Sequence, residues 1–137
     1  MNVPQQHPDD LIRTFATRWQ QVGDPQVSDR LLADPILVLG PNGTTPIPRA
    51  HFVHAVAARA DAAASAAVDT TLDTVTWSAL GDRMVVATIT WGLAAAGHHT
   101  VLVSDFLLQR EPDQTLRCVA YLPRTNILDH LPATDQA

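Results

Sequence analysis

Lysine is missing altogether: the nine basic residues are all arginine, and of the fourteen acids only Glu111 is not aspartate. That skew, with a formal charge of −5, leaves no electrostatic footprint for nucleic acid or an anionic membrane surface. Cysteine is down to Cys118 alone, which excludes an internal disulfide and a zinc site built on thiolates, and a cytoplasmic location is expected. No apolar run approaches the roughly 20 residues of a membrane span. The opening stretch Met1 to Asp10 lacks the basic and apolar regions of a signal peptide. Glycine-rich phosphate loops, dinucleotide fingerprints and Gly-x-Ser-x-Gly elbows are absent too, so no cofactor is expected. Charge is scarce at 17%, against about 25% in an average globular protein. With 46% hydrophobic residues the chain is too apolar for disorder. A length of 137 residues suits one domain, with an ordered core over about 9–127 and flexible ends.

What is present is a legible order of elements. Leu11, Ile12, Phe15, Ala16, Trp19 and Val22 recur at spacings of three and four behind Asp9 and Asp10, which predicts an amphipathic helix closing at Gly23. A short helix follows to about Ala33, broken by Asp34-Pro35. Ile36 to Leu39 read as a buried strand entering the turn Gly40-Pro41-Asn42-Gly43, with Thr44 to Ile47 as a brief return strand. Pro46 and Pro48 open the longest helix, about Arg49 to Ala67. From Val68 the period changes to two, and β-branched residues predict four long strands over Thr70–Leu80, Arg83–Leu93, Thr100–Arg110 and Leu116–Leu122. The sum is an α+β domain, three helices against an antiparallel meander and a small hairpin, about six strands in all.

On these residues the chain resembles the nuclear transport factor 2-like superfamily, in its SnoaL-like and ketosteroid-isomerase-like branch. The carriers are the aromatic first helix with Gly23-Asp24, the stretch Leu31 to Val38, the turn Gly40 to Gly43, and Ser104-Asp105 ahead of a last strand running into Tyr121. The resemblance implies a curved sheet wrapped around the helices into a cone, usually dimeric, with an apolar pocket inside. In ketosteroid isomerases a tyrosine and a strand acid form an oxyanion hole while an aspartate moves the proton. Here the strand acid falls near Asp105, but the tyrosine falls on Ala16 and the proton-moving aspartate on Gly40.

If Gly81-Asp82 makes a two-residue hairpin, one sheet face collects Val75, Trp77, Met84, Val86, Thr88, Val103, Asp105, Leu107, Cys118, Ala120 and Leu122. The opposite face, with Ala87, Ile89, Trp91, Ser104, Phe106 and Tyr121, is apolar as well. Taking the first as the pocket face makes the second the expected homodimer interface. Phe15, Trp19, Phe52 and Val56 from the helices, with Trp77, Met84, Val103 and Leu122 from the sheet, are the candidate lining for a small apolar molecule. Asp105, a lone acid in an apolar strand, is the candidate catalytic acid or base of an isomerase, cyclase or hydrolase acting on a ring-containing substrate. A non-catalytic binding or dimeric assembly module is the alternative reading. His51 and His54 stand three apart on a helix and His98-His99 sit in a hairpin loop, but no other ligand completes a metal site and none is expected.

Overall fold

The structure, a computed structural model, describes residues 8–41 and 43–124; the expected arm and the tail beyond Arg124 lie outside the described residues. Helix α1 (Pro8–Trp19) follows from its pattern, burying Leu11, Ile12, Phe15 and Ala16. Asp9 and Asp10 meet the positive end of its dipole, Arg18 the negative end. Helix α2 (Pro25–Leu31) starts where Asp24 accepts the Gln26 backbone N–H at 3.0 Å and Pro25 presets the first turn. Helix α3 (Arg49–Ser65) buries only Phe52 outright, with Val53 and Val56 packed part-way, so it covers the core rather than filling it.

The strands are β1 (Leu32–Gly40), β2 (Gly43–Ile47), β3 (Asp69–Leu80), β4 (Met84–Ala95), β5 (His98–Arg110) and β6 (Leu116–Pro123). They form a six-stranded sheet in the order β2-β1-β6-β5-β4-β3. Every pairing is antiparallel except β1 with β6, which no local pattern predicts. Three helices and this curved sheet make the α+β cone expected from the sequence.

The hairpin registers decide what faces the helices. Between β4 and β5 the loop is Ala96-Gly97, both at positive φ, a two-residue turn that pairs Ala95 with His98 and Thr88 with Asp105. Between β3 and β4, however, Leu80 pairs with Met84 across three residues, so Trp77 opposes Ala87 and Val75 opposes Ile89. The expected two-residue turn at Gly81-Asp82 is therefore one residue out. Its effect is to turn the sheet over: Val75 and Trp77 share a face with Val85, Ala87, Ile89, Trp91, Ser104, Phe106 and Tyr121, and it is this face that the helices cover. An extra residue at Val119, between Leu107 and Leu108 on the partner strand, brings Cys118 to the same side.

Aromatic rings fill the cone. Phe106 is the hub, with ring centroids 5.3 Å from Phe15, 4.8 Å from Trp19, 6.0 Å from Trp91 and 5.3 Å from Tyr121. Such pairs contribute about 0.5–1.5 kcal/mol each beyond the area they bury. Phe52 closes the cluster from α3, 5.8 Å from both Trp19 and Tyr121.

Candidate functional site

Of the expected lining, Phe15, Trp19, Phe52, Val56 and Trp77 all pack on the helix-covered side. Among the first three, the Trp19 ring contacts both Phe15 and Phe52, and they form the floor of the cone rather than the walls of a wide cavity. Met84, Val103, Leu122 and Asp105 are corrected: the register places them on the outer face, where Asp105 opposes Thr88 and Leu122. The physical reason is that β4 is apolar on both sides, so either face satisfies a two-residue period and only the turn length chooses.

On that outer face Asp105 is fully engaged. Thr88 donates its hydroxyl to Oδ1 and Arg124 donates Nε–H to Oδ2, both at 2.5 Å, and the carboxylate side chain is 15% exposed. Its charge is met by a guanidinium and its lone pairs by hydrogen bonds, which is how a structural carboxylate is held. It stands across the sheet from the cone interior.

The chemistry inside the cone lies where β4, β5 and β6 run beneath the end of α1. Trp91 on β4 is diagonal to Ser104 on β5, which is in turn diagonal to Tyr121, the β6 partner of Phe106, so three polar side chains follow one another over adjacent strands. They line a cleft of about 110 Å³ together with Leu93, Leu102 and Trp19, and the exposed Gln20 and Thr70 flank them. Trp91, Ser104 and Tyr121 are 2%, 1% and 9% exposed. Trp91 Nε1 and Ser104 Oγ have no hydrogen-bond partner among the described residues. Burial pushes the Tyr121 phenol above its ordinary value; the nearby Ser104 hydroxyl and the Arg59 charge pull it back only in part. Ser104 stands close enough to the phenol for that influence without making a well-formed hydrogen bond to it.

A larger, open depression of about 770 Å³ lies between α1, α2 and the β5–β6 turn, with Arg18, Arg30, Asp24 and Asp113 among its walls. Its polar groups are surface side chains of both signs, and no buried unpartnered atom faces it among the described residues. His51, His54, His98 and His99 are all exposed, and no group of metal-ligating side chains gathers among the described residues. The Cys118 thiol is buried, and burial pushes its pKa far up, which makes it packing and not a nucleophile. The sequence signal that points to Trp91 and Ser104 is the Ala96-Gly97 turn. It fixes the register of β4 on β5 and puts Trp91, Ser104 and Phe106 on one face.

No protein family and no curated protein matches the chain in sequence. Solved structures do match in shape. A provisionally named ketosteroid isomerase from Shewanella frigidimarina superposes with a TM-score of 0.61 at 12% identity, over 82% of this chain and 90% of that one. An NTF2-like protein of unknown function from Shewanella oneidensis gives 0.60 at 11%, over 85% and 98%. The CaMKII hub of S. rosetta gives 0.62 at 14%, over 88% and 97%. The chain has the NTF2-like fold. No helix among the described residues is long and apolar enough to cross a membrane.

Proposed function

We propose that this NTF2-like domain is a non-catalytic binder of a small apolar molecule, held in the cleft between Trp19, Trp91, Ser104 and Tyr121. The observation that carries the reading is the cleft's make-up: aromatic and aliphatic walls, polar groups that are all neutral, and no aspartate, glutamate, arginine or histidine among its lining residues. Such a site takes up an apolar body by desolvation and orients it with a few hydrogen bonds. The Asp105 carboxylate has no part in this reading, because it lies on the opposite face and is occupied by Arg124 and Thr88. Titration with toluene, followed by the indole N–H resonances in NMR, tests it. The Trp91 signal is expected to move saturably and more than that of Trp77; no saturable shift up to the solubility of toluene overturns it.

A second copy of the chain is proposed to cover the outer face. That face carries Leu37, Leu80 and Val101 at 39%, 52% and 49% exposure, with Val86, Val103, Leu107, Ala120 and Leu122 around Asp105. Exposed aliphatic residues on a sheet face that also carries Thr74, Thr76, Ser78, Thr88 and Thr90, with the other side already covered by helices, are the kind of surface an interface uses. The outer face is the one proposed, opposite to the one the strand pattern alone suggests, because the helices cover the other. Sedimentation at micromolar concentration is expected to give a dimer, and a clean 15 kDa species sinks the idea.

A further inference from the structure

Resting on the binding role proposed above, we infer that the ligand of the cleft is an uncharged single-ring compound carrying a hydrogen-bond acceptor oxygen, which Trp91 Nε1–H and the Ser104 hydroxyl hold together. Buried polar atoms in proteins are as a rule paired, and these two are exceptions that line the same small space. An indole N–H can only donate, so its missing partner is an acceptor; a serine hydroxyl donates as readily. The two residues are diagonal neighbours on β4 and β5, both on the helix-covered face and both lining the cleft, and in this inference one ligand oxygen bridges them.

Size and charge narrow the class. A volume of about 110 Å³ is of the order of the roughly 150 Å³ cavity that admits benzene in an engineered apolar core. One ring fits. The ionisable group nearest the cleft is the Tyr121 phenol, which stays neutral up to high pH because burial favours its protonated form. A carboxylate or ammonium entering here loses its water and finds no charged side chain among the lining residues, the Arg59 guanidinium acting on Tyr121 only from beyond them, a cost of several kcal/mol by the general rule for buried ions. Gln20 and Thr70, exposed lining residues, leave the rim of the cleft wet.

The experiment compares acetophenone with α-methylstyrene, which has the same shape with a methylene in place of the carbonyl oxygen, by calorimetric titration of the full chain. The wild type is expected to bind acetophenone more tightly, although the hydrocarbon is the more apolar. Trp91→Phe keeps the aromatic wall and deletes the donor, and is expected to lower the affinity ratio about tenfold, the worth of one hydrogen bond. Ser104→Ala, which removes a single oxygen and endangers the fold least, is expected to lower it several-fold. Benzoate is expected not to bind. If both neutral compounds bind and their ratio is unchanged in both variants, the acceptor clamp is overturned while the cleft stands as a binding site. Benzoate binding as tightly as acetophenone overturns the restriction to neutral ligands. If neither neutral compound binds, the proposed function falls and takes this inference with it.

Discussion

At the scale of single residues, the two serine and aspartate neighbours Ser104 and Asp105 point to opposite sides of β5 and have opposite prospects. Asp105 is held by Arg124 and Thr88, so Asp105→Asn exchanges a charged acceptor for a neutral amide against a half-exposed guanidinium. The expected loss is about 1–2 kcal/mol of stability, measured by denaturant unfolding, with toluene affinity unchanged. A large fall in affinity returns Asp105 to the binding site. Ser104 is buried with no well-formed partner, and in Ser104→Ala the unfilled hydroxyl disappears; stability is expected to stay level or rise by up to about 1 kcal/mol. Tyr121 and Cys118 set the alkaline limit. Both groups have pKa values raised by burial, so the folded state favours their protonated forms. Their contribution is whole below the unfolded values of 10.0 and 9.0 and is lost as pH climbs past these. Thermal stability is expected to fall from about pH 9 upward, and Tyr121→Phe is expected to flatten the part of that slope near pH 10 and above.

At the scale of elements, two glycines hold pieces in place. Gly23 lies so close to α3 that an added Cβ meets Ala57 Cβ at 3.2 Å and Ala57 Cα at 3.3 Å. Since α3 has only Phe52 fully buried, Gly23→Ala is expected to lift the helix and cost about 1–3 kcal/mol, the usual range for overpacking. Gly97 has a φ of +79° in open surroundings, so Gly97→Ala tests backbone conformation alone and is expected to cost about 1 kcal/mol in the same unfolding assay. The elements themselves were readable from the chain, because helix α1 and strands β3 to β6 each carry a strong period and clear punctuation. Which face of the meander meets the helices was not. Strand β4 places Val85, Ala87, Ile89 and Trp91 on one side and Met84, Val86 and Thr88 on the other, and two mostly apolar faces give the period nothing to choose between. Reading Gly81-Asp82 as a two-residue turn attached Trp77 to the wrong side of β4, and Asp105 went with it into the cone. Trp91 and Ser104, the residues of the proposed cleft, were therefore legible as sharing one face, and it was the side of the sheet that was misassigned.

At the scale of the whole molecule, the sheet divides the apolar content of the chain into a packed interior and an outer face. If the outer face pairs with a second copy, Val101→Asp places a charge in that interface without touching the cone core. It is expected to shift sedimentation from dimer to monomer while toluene still moves the Trp91 resonance; a dimer that survives the change points to a different contact. The sheet also has a seam. The hairpin β1–β2 comes from the first third of the chain and the meander from the second half, and only the parallel pairing of β1 with β6 joins them. During synthesis that seam cannot close until Leu116 to Pro123 have left the ribosome. Until then the nascent chain carries β1 and β5 as open edges, with an aromatic cluster lacking Tyr121. Pairings between residues so far apart in sequence are slow to form, so the docking of β6, the last of the described strands to be made, is the step on which the time to reach the native state depends.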